Sequence, residues 1–130
     1  MKENGANYRL TMYPEYGGGL FWDEGGTQCG SPDYVFVYDE DNSVEVDLTS
    51  IVGLREWVAE WERNEDRNRE YVKKVPKIRP EQQKEWNVRG INFAKVIKQL
   101  LPDDVDIMYI CEPTREKILL TGTSVERIKG

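Results

Sequence analysis

Apolar and small residues recur at Trp86, Gly90, Phe93, Ile97 and Leu100, in alternating steps of four and three, between Pro80 and Pro102. That spacing is one stripe of an α-helix. Ala94, Val96 and Leu101 widen the stripe, while Gln82, Glu85, Arg89, Asn92 and Lys95 lie mostly off it. Pro80 suits the first helical position, where its missing N–H would have no partner anyway. Pro102 stops the helix by pushing the residue before it out of the α region. A second stripe, Leu54, Trp57, Val58 and Trp61, predicts a shorter helix with Thr49 or Ser50 as its cap. Every residue from Glu62 to Glu70 is charged or Asn, so this helix either ends near Asn64 or runs on as a solvated extension.

Elsewhere the period falls to two. Tyr8 to Tyr13 alternates Tyr8, Leu10 and Met12 against Arg9 and Thr11, and Pro14 ends it. Tyr34 to Tyr38 is wholly β-branched or aromatic. After a polar loop of hairpin length, Val44, Val46 and Leu48 alternate with Glu45 and Asp47, a strand with one wet face. Val105 to Cys111 is apolar on both faces, as an interior strand is, and Lys117 to Thr121 reads as another strand. Leu20 to Trp22 forms a short strand within the glycine-rich segment Gly17 to Gly30, and Ser124 to Ile128 is either an edge strand or a tail. The order βββ–αα–ββ predicts an α+β two-layer sandwich, with an antiparallel sheet of about five to six strands and two helices on one face. Length fits one domain over residues 1–130, with 1–6 a frayed tail and Lys73 to Arg79 an irregular basic connection.

Composition changes this picture in three ways. Hydrophobic content of 38% with 32% charged residues supports a packed core, and no apolar run is long enough to span a bilayer. The first residues lack an apolar signal core, so the expected compartment is cytoplasmic. Histidine is absent, which closes Ser–His and Cys–His nucleophile pairs, imidazole bases and His-based zinc sites. Cys29 and Cys111 are too few for a disulfide framework; Cys111 is expected to be a buried small hydrophobe, while Cys29 lies in a glycine-rich loop and its sequence context leaves its exposure open.

The charge is unevenly placed. Net charge is −6, yet Leu10 to Leu54 holds nine acids and no Lys or Arg, leaving the remainder at +3. A stretch of this kind fits a positively charged partner and argues against direct contact with nucleic acid, whose phosphates need Lys and Arg. Local motifs are weak beside this signal. The glycines at 17–19 and 25–26 lack the Lys and Ser/Thr of a phosphate loop, and no helix starts there. Asp39, Asp41 and Ser43 have calcium-loop spacing, but Val44 replaces the required glycine and Ser50 the closing glutamate. Glu45 and Asp47, roughly 7 Å apart by strand rise, could serve acid–base or metal-assisted hydrolysis, or simply form a solvated strand face. Trp22 beside Asp23 and Glu24 is either an interface anchor or a tucked-in loop tryptophan.

The succession YRLTMYPEYGGGLFWDEGG, then LREWVAEWERN, then EWNVRGINFAKVIKQLLPDDVDIMY resembles small bacterial immunity proteins, the cognate inhibitors encoded beside polymorphic or contact-dependent toxins. The resemblance is one of overall layout and covers most of the chain. It implies a cytoplasmic, non-enzymatic protein, without cofactor or metal, that binds one toxin domain, often a nuclease with a basic active site. The charge pattern independently puts the partner surface at Trp22, Asp23, Glu24, Asp39, Glu40, Asp41, Glu45 and Asp47, with no membrane and no direct nucleic-acid contact expected. The alternatives are a metal-dependent hydrolase using these carboxylates, and a scaffold or regulatory interaction protein.

Overall fold

The computed structural model describes residues 8–38, 43–68, 79–112, 114–122 and 124–128. Asp39, Glu40, Asp41, the expected tail at 1–6 and the basic connection apart from Arg79 lie outside them. Among the described residues there are five strands, two helices and three more strands. The first five strands are β1 (Tyr8–Met12), β2 (Phe21–Trp22), β3 (Gln28–Gly30), β4 (Tyr34–Tyr38) and β5 (Ser43–Asp47). The helices are α1 (Leu54–Asn68) and α2 (Pro80–Leu100), followed by β6 (Val105–Ile110), β7 (Lys117–Leu120) and β8 (Val125–Ile128). All eight strands form one sheet in the order β5-β4-β3-β2-β1-β6-β7-β8.

The α+β class and the two helices agree with the sequence pattern; the strand count and order do not. The short strand read at Leu20 to Trp22 is present as the two-residue β2, whereas β3 is an addition of three residues, too short for a period of two to declare itself. The segment after Ser124 is the edge strand β8 rather than a tail. Nor is the sheet wholly antiparallel. β1 and β6 pair in parallel at its centre, with Leu10 opposite Ile107 and Met12 opposite Tyr109. The first five strands meander outward to β5, the chain returns over the sheet, and β6 enters on the other side of β1. Parallel neighbours need such a long connection. β6 is buried on both faces throughout, as its sequence predicts.

The core lies between the helices and one face of the sheet. Trp57 and Trp86 stack with centroids 4.2 Å apart and planes 9° from parallel. Each indole also donates to the other residue's backbone, Trp57 Nε1 to Trp86 O at 2.9 Å and Trp86 Nε1 to Trp57 O at 3.1 Å. These buried N–H groups are thereby satisfied, and α1 is pinned to α2 at one height. Gly90 sits against this pair because any Cβ there would collide with Tyr109 Oη and the Trp57 ring. Asn87 closes the junction with β6: its amide donates to Glu112 O at 2.7 Å, and its Oδ1 accepts from Glu112 N at 3.0 Å and Tyr109 Oη at 3.2 Å. Burial in this packing raises the Tyr109 phenol above its ordinary value, with nearby Cys111 and Glu112 acting the same way.

Trp57, Trp61 and Ile97 are buried, whereas Phe93 is only partly so. The buried stripe of α2 is Trp86, Gly90, Ala94, Ile97 and Lys98, leaving Val96 and Leu100 exposed. With 3.6 residues per turn, a helix read as a strict four-three repeat places its last turn too far round. Pro80 does occupy the start of α2, where Gln82 Oε1 accepts from the Arg79 N–H at 3.1 Å, and the residue after its end, Leu101, is extended before Pro102. Helix α1 begins at Leu54 and continues to Asn68, past Asn64. Thr49 does not cap it. A turn over Leu48–Gly53 intervenes, with Gly53 at φ +90°, and Thr49 bonds Asp47 instead.

Candidate protein-docking face

The β4–β5 register determines what the acidic strand displays. Val35 pairs with Val46 and Val37 with Val44, while Tyr34 pairs with Asp47 and Phe36 with Glu45. Paired residues share a face, and successive residues alternate between faces. Val35 and Val37 are buried on the helix side. Tyr34, Phe36, Glu45 and Asp47 therefore lie together on the face without helices. Tyr34 and Phe36 pack edge-on, with centroids 5.0 Å apart and planes at 70°.

Two backbone bonds identify the kind of pairing. Leu48 N donates to Asp33 O at 2.9 Å, and Ser31 N donates to Tyr34 O at 2.8 Å. The Leu48 amide thus points inward to β4, whereas the Tyr34 carbonyl points away from β5 toward β3. By the alternation of antiparallel ladders, Tyr34–Asp47 and Phe36–Glu45 are non-hydrogen-bonded pairs, the kind whose side chains stand closest together.

The same face continues inward. Thr11 pairs with Trp22, and Met12 with the buried Phe21, so Trp22 lies on the helix-free side. It is half-buried, stacked on Tyr13 with centroids 5.1 Å apart, and its Nε1 donates to Tyr13 O at 3.0 Å. Gly19 leaves room for it, since a Cβ there would lie 2.8 Å from the indole. Trp22 is therefore a strand residue held in place by Tyr13, and half-buried. The sequence pattern does not reveal Tyr13 as its support. Nor does it reveal Arg115, whose guanidinium lies 4.9 Å over the Tyr13 ring from the far side of the sheet centre.

The acids divide by role. Asp23 shapes the β2–β3 turn, its Oδ1 accepting from the Gly25 and Thr27 N–H groups at 2.9 Å each. Glu24 is exposed beside it. β2 and β4 run in the same direction, so this turn lies at the end of the sheet where β4 terminates. Asp33 bonds Arg55 Nε at 2.6 Å. Asp47 accepts from Thr49 Oγ1 at 2.6 Å and Thr49 N at 2.8 Å, and these bonds hold its carboxyl below the ordinary value. It is a fixed charge at neutral pH. Glu45 is exposed.

Cys29, whose exposure the sequence left open, is buried. β3 is an interior strand between β2 and β4, and its middle residue belongs to the hydrophobic core. Burial, together with the nearby Asp23 carboxylate, pushes its thiol up to about 11. Cys111 is buried as its sequence context predicts, and both cysteines are free.

Among the described residues no group of three or more Cys, Asp or Glu side chains is placed to hold a metal ion, and Asp39 and Asp41 lie outside them. Two clefts of about 550 and 510 Å³ run along the other flank of α2, against β7 and β8. Lys95 and Lys98 line one, and Lys84 and Arg127 the other. No described helix is long and apolar enough to cross a membrane. Comparison with family models, curated proteins and solved structures finds no match to this chain.

Proposed function

We propose that this chain is a cytoplasmic, non-enzymatic immunity protein that binds and neutralises a basic toxin domain, of nuclease type, through the helix-free face of β2 to β5. One observation carries the reading: the register sets Glu45 and Asp47 directly beside Phe36 and Tyr34 on the face opposite the two described helices. The segment supplying this face contains no lysine or arginine. Aromatic side chains give contact area at low entropic cost, and fixed carboxylates steer a cationic partner into encounter. Trp22 extends the aromatic part, Asp23 and Glu24 border it, and Asp39, Glu40 and Asp41 belong to the same acidic segment of sequence.

The test is to read the neighbouring genes for a secreted toxin with a basic C-terminal domain, coexpress that domain with this chain, and measure binding kinetics of the purified pair. The expected outcome is growth protection by wild type and an association rate that falls as salt rises, since surface charges are screened within about 8 Å at physiological ionic strength. Glu24→Gln, Glu45→Gln and Asp47→Asn in combination lower the association rate and protection. Unchanged kinetics and protection in the combined variant overturn the reading.

A further inference from the structure

The strand order ends at β5, so among the described residues no strand lies against its outer edge. The bonds already given show which groups that edge presents. Val44, Val46 and Leu48 direct their backbone N–H and C=O groups inward to β4, so those of Glu45 and Asp47 point outward, away from the sheet. Both side-chain rows of β5 are accessible as well. Glu45 and Asp47 are exposed on the helix-free side, and Val44 is 43% exposed on the other.

We infer that β5 is a strand-addition site: its outer edge takes an extended segment of a partner protein in which basic residues alternate with apolar ones. This rests on the proposed docking face and specifies how the partner engages it. A strand added in register places its own alternate residues on the two rows. One row meets Glu45 and Asp47 and calls for Lys or Arg; the other meets Val44 and Val46 and calls for β-branched residues. The same charges disfavour a second copy of this chain. Two β5 edges paired with one another would set carboxylates against carboxylates on one face, where like charges repel. The opposite edge of the sheet is guarded differently. β8 carries both Glu126 and Arg127, and Arg127 is held in an ion pair with Glu116 at 2.7 Å. β5 has no proline, lysine or arginine to turn strands away.

The experiment uses a short synthetic peptide alternating lysine and valine, with a glutamate–valine peptide as control, and amide hydrogen exchange followed residue by residue. In the free protein the Val44 and Val46 amides exchange slowly and those of Glu45 and Asp47 fast. The expected result is that the lysine peptide slows Glu45 and Asp47 and the control does not. Glu45→Gln removes only the charge and weakens binding by up to about fivefold. Glu45→Pro also removes an outward N–H without touching the β4 ladder, and weakens binding by at least about tenfold. Equal losses for Gln and Pro, binding without protection of the Glu45 and Asp47 amides, equal binding of the control, or no binding of the lysine peptide would each overturn strand addition. Toxin protection by the wild type together with any of these results leaves the immunity reading standing and removes only this mode of contact.

Discussion

The two halves of the sheet, divided at the parallel β1–β6 seam, are built on different principles. On the β6 side a six-residue strand is buried on both faces, and α2 is keyed to it through Asn87, Gly90 and Tyr109. On the other side short strands meander through a glycine-rich stretch to an edge strand that stays exposed along most of its length. The charges differ too. The sequence from Leu10 to Leu54 has acids and no Lys or Arg, while α2, β7 and β8 carry both signs, Lys95, Lys98, Lys117 and Arg127 as well as Glu81, Glu85 and Glu126. The contrast shows where stability and recognition lie. Buried indoles and a satisfied polar staple hold the fold; in the acidic half Asp23, Asp33 and Asp47 serve local turns and an ion pair, while the exposed Glu45 is left for recognition.

Substitutions sharpen this comparison, beginning with the core. Trp57→Ala removes a buried ring from the stack with Trp86 and leaves the Trp86 carbonyl without its indole donor. The expected loss is about 3–5 kcal/mol, read as a lower denaturation midpoint at unchanged slope. Asn87→Ala comes next. It strips partners from Tyr109 Oη and from both backbone groups of Glu112, for about 1–3 kcal/mol by the same measurement. An Asn87→Ala variant as stable as wild type would break the idea that this staple holds α2 to the seam.

A smaller effect belongs to Cys29 and depends on pH. Its folded-state thiol is raised from 9.0 to about 11, so the stability tied to the neutral thiol is whole below 9.0 and is lost as pH rises toward about 11. Wild type is therefore expected to lose more stability across that window than Cys29→Ala. Near neutral pH the native thiol should react with Ellman's reagent far more slowly than in the denatured chain. Fast native labelling would show that β3 is not interior.

The smallest expected stability change is on the acidic face. Glu45→Gln should shift stability by no more than about 0.5 kcal/mol, as is usual for an exposed charge, whatever it does to binding. Asp47 acts with the opposite pH sense to Cys29. Its carboxyl is held below 3.8, so its contribution is present above that value and fades as pH falls through the lower folded-state value. Asp47→Asn should flatten the acid limb of the stability profile and leave the alkaline limb unchanged. A large loss of stability from Glu45→Gln would mean that the acidic half also carries the fold.

Much of this arrangement was legible in the residues. Long strong periods identified both helices, and the unbroken apolar run of β6 marked an interior strand. The cation-free stretch located the acidic half, and Glu45 and Asp47 shared a face by their spacing alone. What escaped detection was short or non-local. β3 has too few residues for a period, so the burial of Cys29 was not legible, and the short strand at Leu20 to Trp22 did not reveal that Tyr13 supports Trp22. Thr49 looked like a helix cap because its chemistry suits both that role and the turn it actually closes with Asp47. Leu100 looked like core because a rigid repeat does not follow the drift of a real helix, and Val96 because the stripe was read too wide.

The sequence by itself determined the α+β class, the two amphipathic helices, the apolar centre and the segregation of charge, because each depends on a local period or a local composition. Only the tertiary structure decided that β6 enters beside β1 in parallel, that Trp57 and Trp86 exchange hydrogen bonds, and that the backbones of Glu45 and Asp47 face outward. Each of these pairs residues far apart in the chain or depends on a one-residue choice of register. Side-chain alternation settles which face a residue occupies, but the direction of its N–H and C=O is settled only when a partner strand takes up the other set.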